Sequence, residues 1–167
     1  MSTTALTVER TDILESLRKA RYFLRHTAAG LTEEQARTRS TVSELTVGGL
    51  VKHVAATELG WQRFITEGPA SMIPDDYSAW ADDFRLTDAD TLDGVLARYA
   101  EIAAETDRLV ATTDLDAETP LPEAPWFEAG AAWTARRVFQ HLIAETAQHA
   151  GHADIIRESI DGQKSMG

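Results

Sequence analysis

Apolar residues recur along this chain at the three- and four-residue spacing of amphipathic helices, in four long blocks. The first spans about Thr7 to Ala29. Ile13, Leu14, Leu17, Ala20, Phe23 and Leu24 form its stripe, and Gly30 is a C-terminal stop. Thr32-Glu-Glu-Gln35 has capping-box spacing and predicts a short helical turn. The second block runs from near Thr46 to Glu67-Gly68-Pro69, with Leu50, His53, Thr57, Trp61 and Phe64 on one face. Gly48, Gly49 and Gly60 each weaken that helix by ~1 kcal/mol relative to Ala, and their small size permits another backbone to approach. The third block starts at Asp88 or Thr91 and ends at Thr112. Leu92, Val95, Leu96, Tyr99, Ile102, Ala103, Thr106, Leu109 and Val110 carry its period. The fourth, Trp133 to Glu158, reads as one continuous helix, with Thr134 as its cap, Ile160 near its end and Asp161-Gly162 as its stop.

Between these blocks the periodicity disappears. Residues 68–86 hold two prolines, Trp80 and the scattered acids Asp75, Asp76, Asp82 and Asp83. They read as a long connection, one that crosses the bundle if the helices it joins are not antiparallel neighbours. Asp114 to Ala132 is a second long connection, with Pro120, Pro122, Pro125, Trp126 and Phe127, and allows a brief extended segment. The tail Gln163–Gly167 is expected to be disordered. The pattern predicts an all-α four-helix bundle with two long connections, as one domain over residues 1–167.

The fourth block contains a contradiction that points to chemistry. Val138, Leu142, Glu145, His149, His152 and Ile156 follow one another at spacings of four, three, four, three and four, which is a packing seam. Three of these six carry ionisable groups where a core calls for Leu. An unpaired buried carboxylate costs several kcal/mol even after relaxation. Successive helical residues turn by about 100°, so His149, His152 and His141 all fall within roughly 40° of Glu145. Their heights differ. Glu145 and His149 are ~6 Å apart along the axis and can share one ion, whereas Glu145 and His152 are ~10 Å apart and cannot readily do so. A third ligand must come from another helix. His53 is the other histidine on a packing stripe, while His26 lies near the end of the first helix, off its stripe.

Taken singly, each histidine also fits a hydrogen-bonded core or rim position, and Glu145 fits a pair with an arginine. Taken together, His53, Glu145 and His149 form a candidate metal site. Two imidazoles and a carboxylate suit Zn²⁺, with Ni²⁺, Fe²⁺ and Mn²⁺ as rivals. Three protein ligands leave a position open, as in catalytic rather than structural sites. His152 and His141 are candidates for outer partners or for the cavity, and Thr57 and Trp61 for its lining. Trp61, Trp126 and Trp133 read as packing residues rather than a cofactor box. No individual catalytic residue is assigned.

Composition narrows the partners. The chain of 167 residues has a formal charge of −11, which disfavours nucleic acid and anionic membranes. No apolar run approaches the ~20 residues of a membrane span. The N-terminus lacks a basic segment followed by an apolar one, so no signal peptide is expected and the default location is the cytoplasm. The absence of Cys excludes disulfides, thiolate ligands and a Cys nucleophile, so any thiol chemistry needs a thiol from outside.

The segments His141-Leu-Ile-Ala-Glu145-Thr-Ala-Gln-His149-Ala-Gly-His152 and Leu50-Val-Lys-His53-Val-Ala-Ala-Thr-Glu-Leu-Gly-Trp61 resemble the DinB-like superfamily of four-helix bundles. The nearest likeness is to its actinobacterial mini-circle-protein branch. The resemblance implies a divalent metal held by one His of the second long helix and two ligands four apart on the last, matching His53, Glu145 and His149. Many members have His where this chain has Glu145; Glu there is similar to the metal domain of mycothiol-dependent maleylpyruvate isomerase. The chain ends soon after its last helix and so is expected to lack that isomerase's further C-terminal domain. The resemblance also implies a low-molecular-weight thiol such as mycothiol as co-substrate, hence S-transfer to an electrophile. The alternatives are a metal-dependent hydrolase and a non-catalytic metal-binding or stress-response module. In the last case the first helix, or the exposed aromatics of the connections, would form a homodimer interface.

Overall fold

The computed structural model describes residues 6–73 and 82–166. Its order is α1 (Val8–Ala28), α2 (Glu33–Arg37), α3 (Val47–Glu67), a 3-10 turn (Pro69–Met72), α4 (Leu92–Thr112), β1 (Glu118–Pro120), β2 (Ala132–Thr134) and α5 (Ala135–Asp161). The fold is an all-α bundle, as the periodicity predicts. Every one of these five helices begins after a threonine. The hydroxyls of Thr7, Thr32, Thr46, Thr91 and Thr134 each accept the backbone N–H three residues on, and Thr32 and Gln35 complete a capping box. Gly68 and Gly162 end α3 and α5 at positive φ, 88° and 80°, a region that disfavours residues with a Cβ.

Trp133 and the tail depart from the sequence-based expectations, while the extended segment they allowed is present. Trp133 belongs to β2 rather than to the last helix, because Thr134 is the cap and the residue before a cap lies outside the helix. The extended segment in the second connection is a pair of short strands, antiparallel, with Thr119 opposite Trp133. The tail is not disordered over its described part. Gln163 accepts a hydrogen bond from Arg157 at 2.6 Å, and the Ser165 N–H donates to Asp154 at 2.7 Å. Trp80, Asp75 and Asp76 lie outside the described residues.

Cross-helix contacts fix the directions. Lys52 meets Asp90 near the start of α4 while Gln62 meets Thr106 further along, so α3 and α4 run parallel. Arg10 reaches the Val110 and Thr113 carbonyls while Arg18 pairs with Asp107, so α1 and α4 run antiparallel. Two parallel helices of 21 residues require their connection to return about 30 Å. That is why the stretch after α3 is long. Its far end lies back at the start of α3, where a Cβ on Gly49 would sit 2.0 Å from the Phe84 carbonyl oxygen and one on Gly48 2.5 Å from Leu86.

Two apolar clusters fill the bundle. Leu24, Leu50, Val54, Tyr99, Ile102 and Ile156 belong to one; Leu17, Trp61, Phe64, Leu109, Val138 and Leu142 belong to the other. Buried polar residues from each long helix lie between them, among them Arg21, Glu58, Gln62, Thr106 and Thr146. Arg21 binds Glu58 through two guanidinium nitrogens and Asp107 at 2.7 Å, and the Thr106 hydroxyl donates to Glu58. Gln62 donates to Thr106 at 2.7 Å. Burial opposes charge on Arg21, but Glu58 and Asp107 outweigh it and raise its pKa.

Removing one partner of such a pair leaves an uncompensated buried charge and costs about 3–5 kcal/mol, while replacing both by apolar groups is often close to neutral. Arg21→Met is therefore expected to destabilise the protein by about 3–5 kcal/mol, with most of the loss recovered in Arg21→Met/Glu58→Leu. Urea unfolding of both variants measures this; equal losses would show that the pair is not the origin of the effect.

Candidate metal centre

The triad sits where the polar layer meets the α3–α5 interface. His53 directly precedes Val54 of one apolar cluster. Glu145 directly precedes the buried Thr146, three residues after Leu142 of the other cluster. Because α3 and α5 pack against each other, His53 faces the Glu145–His149 turn. Glu145 Oε1 is 3.1 Å from His149 Nε2 and 3.4 Å from His53 Nε2. One ligand atom from each of the three residues lies within 4.8 Å of the others, a grouping that could hold a metal ion. The side chains are 14%, 22% and 13% exposed for His53, Glu145 and His149, so they are sheltered yet reachable. Hydrogen bonds from His149 and His53 outweigh the cost of burial and hold the Glu145 carboxyl far below the usual carboxylate range. It is thus an anionic acceptor at neutral pH.

The flanking residues take separate places. His152 Nδ1 is 3.4 Å from His149 Nδ1, on the side of the His149 ring away from Glu145. His141 does not reach the triad's ligand atoms. It stands edge-on to Trp61 and Trp133, with ring centroids at 5.1 and 5.3 Å. Burial lowers its pKa, against the opposing pull of Glu145, so it is neutral at pH 7. His26 stacks on Tyr22, as expected for a histidine off the packing stripe. Trp61 and Trp133 are stacked, centroids 4.9 Å apart and planes 7° from parallel. Trp126 is not a packing residue in the same sense: it is 72% exposed, because it lies on the loop between β1 and β2 and rests only against Phe127 among the described aromatic rings.

A cavity of about 1140 Å³ opens on this centre. His53, Glu145, Thr57, Trp61 and His141 all line it, so the site and the aromatic cluster share one space. Lys52 and Asp90 stand in its wall, paired at 2.8 Å. One residue near the site escaped sequence reasoning. Phe84 stacks on the His53 ring at 3.9 Å and 19°. It lies in an aperiodic connection, and the sole hint was the Gly48-Gly49 pair, whose missing side chains let its backbone reach α3.

A family model for mycothiol S-transferase matches residues 12–162. The chain belongs to the mycothiol S-transferase family. This is a DinB-like family, in accord with the resemblance carried by the motifs around His53 and Glu145. The match runs from within α1 to the stop of α5, so the family's extent coincides with the bundle. Among solved structures, the chain is similar to a conserved protein from Enterococcus faecalis. The two share 20% identity and a TM-score of 0.69, over 95% of this chain and 100% of that one. That likeness shows the fold alone. A search of curated proteins finds no match.

Within this family member, Gly49 gives a direct test of how the centre is built. Ala normally strengthens a helix interior by ~1 kcal/mol over Gly. At Gly49 its Cβ would meet the Phe84 backbone. Gly49→Ala is therefore expected to lower the melting temperature and to increase solvent access to His53, read by diethyl pyrocarbonate labelling. A raised melting temperature with unchanged labelling would contradict this.

Proposed function

We propose that His53, Glu145 and His149 hold a divalent metal ion, with Zn²⁺ the best match, and that the protein transfers a low-molecular-weight thiol of the mycothiol type to an electrophile. The observation that carries this is one ionised carboxylate oxygen faced by two imidazole nitrogens from different helices, at the mouth of a large cavity. Ligand atoms of a tetrahedral Zn²⁺ site, bound at ~2.0–2.1 Å, are about 3.4 Å apart. The two separations to Glu145, 3.1 and 3.4 Å, are near that edge, and all three ligand atoms lie within 4.8 Å of one another. The family match supports the thiol, and the absence of Cys is consistent with a thiol supplied from outside.

A divalent ion held there would supply Lewis acidity, which leaves a bound thiol deprotonated at neutral pH. The protein's own groups do the rest. If its Nε2 held the ion, His149 would carry its proton on Nδ1, 3.4 Å from His152 Nδ1, and by accepting it His152 would fix the ring's tautomer and orientation. Phe84 covers one face of His53 and restricts that ring in the same way. Glu145 would offset one charge of such an ion and leave the centre near +1. His141, neutral on the cavity wall, can accept the proton the thiol gives up. The sulfur electron pair forms the new C–S bond. In a substitution the leaving group departs with its electrons; in an addition the adduct regains the proton from His141.

The test is metal content and thiol conjugation in the purified full chain. Wild type is expected to hold one divalent ion and to conjugate mycothiol to 1-chloro-2,4-dinitrobenzene. His53→Ala and His149→Ala should lose metal affinity by more than the ~10–100-fold typical of outer partners, and His152→Ala should fall within that range. Full metal retention in both ligand variants would sink the site. Equal conjugation with and without enzyme would remove the transferase reading, and ester cleavage by metal-bound water would then favour a hydrolase.

A further inference from the structure

The cavity beside the metal centre has a wall of a different kind from its remaining lining. Trp61 and Trp133 are stacked, His141 stands edge-on to both, and Phe127 stands edge-on to Trp133 at 6.0 Å. Trp126 extends the wall at its rim. His141 precedes Glu145 by one helical turn, so the wall begins ~6 Å along α5 from the carboxylate. We propose that this wall is the subsite of the electrophile, and that it selects planar, π-conjugated molecules over saturated molecules of the same size. This rests on the transferase reading above and names the substrate class that reading leaves open.

Three observations support it. The rings are already held in stacked and edge-to-face arrangements, with the Arg137 guanidinium over Trp133 at 4.9 Å, so a flat ligand meets an organised surface of ring edges and the open face of Trp126. Trp61 lines the cavity, and its indole N–H is not among the fully buried unpartnered atoms, so it is open to a ligand there. A donor open to the cavity within an aromatic wall suits the nitro or carbonyl oxygen that activates a conjugated electrophile. Trp126 is 72% exposed at the cavity's edge, and a bound ring would cover it. If these rings served only to fasten the β1–β2 loop to the bundle, an indole left in water at the cavity edge would have no part in that.

The subsite can be read without metal or thiol. Calorimetric titration of the full chain, with and without chelator, compares 1,3-dinitrobenzene with nitrocyclohexane, neither of which is displaced by a thiol at neutral pH. The flat probe should bind about tenfold tighter, the size of one to two aromatic contacts, in both conditions. Trp126→Ala, at an exposed position that leaves the fold intact, should weaken it severalfold, and Trp133→Leu more. Equal binding of the two probes, no binding of either, or an unchanged affinity in Trp126→Ala would overturn the proposal. If dinitrobenzene binds but no thiol conjugate forms with any electrophile, the subsite stands and the transferase reading falls. If saturated electrophiles are conjugated while dinitrobenzene does not bind, the reverse holds.

Discussion

The layer of buried polar groups across the middle of the bundle constrains everything around it. Arg21 and Glu58 cannot sit among leucines unless they meet, and they meet only at one rotation and one height of α1 against α3. Asp107 and Thr106 extend the same requirement to α4. An apolar stripe alone tolerates a helix sliding by a turn, because one leucine replaces another. A charged pair does not, because a slip strands both ions at several kcal/mol each. We read the pair as the device that sets register, at some cost in stability. That network ties α1, α3 and α4; α5 packs on α3 separately, where His53 meets Glu145.

The bundle opens at its side beside this layer. Two apolar clusters lie on either side of the polar layer, and the candidate centre is at its edge rather than in either cluster. The parallel pair α3 and α4 forces a long return connection, and the glycine pair at the start of α3 receives its end. That return places Phe84 on His53. The second long connection stays at one end, where α4 stops and α5 starts, and folds into the strand pair that bears Trp133. One connection thus shelters a histidine of the triad, and the other builds the aromatic wall of the cavity beside it.

Much of this was legible in the residues. Helix periods are local, and five threonine caps mark helix starts with a chemistry that does not depend on tertiary context. Glu145 and His149 were legible for the same reason: four residues apart on a helix is a fixed geometry. His53 could be named because it interrupts an apolar stripe. The Arg21–Glu58 pair could not. Arg21 reads as one more basic residue on an amphipathic helix, and its burial depends on a helix rotation that no single segment specifies. Phe84 and the exposed Trp126 lie in stretches without a period, where the path is set by what they pack on. Their roles therefore required the assembled bundle.

In the proposed centre, two helices bring two imidazoles and one carboxylate to a single ion. X-ray absorption at the edge of the metal bound to the purified protein tests it most directly. A first shell of nitrogen and oxygen at about 2.0–2.1 Å is expected, with the outer-shell scattering of two imidazole rings, reduced to one ring in His53→Ala. A shell of oxygen alone, or two rings persisting in that variant, would contradict it.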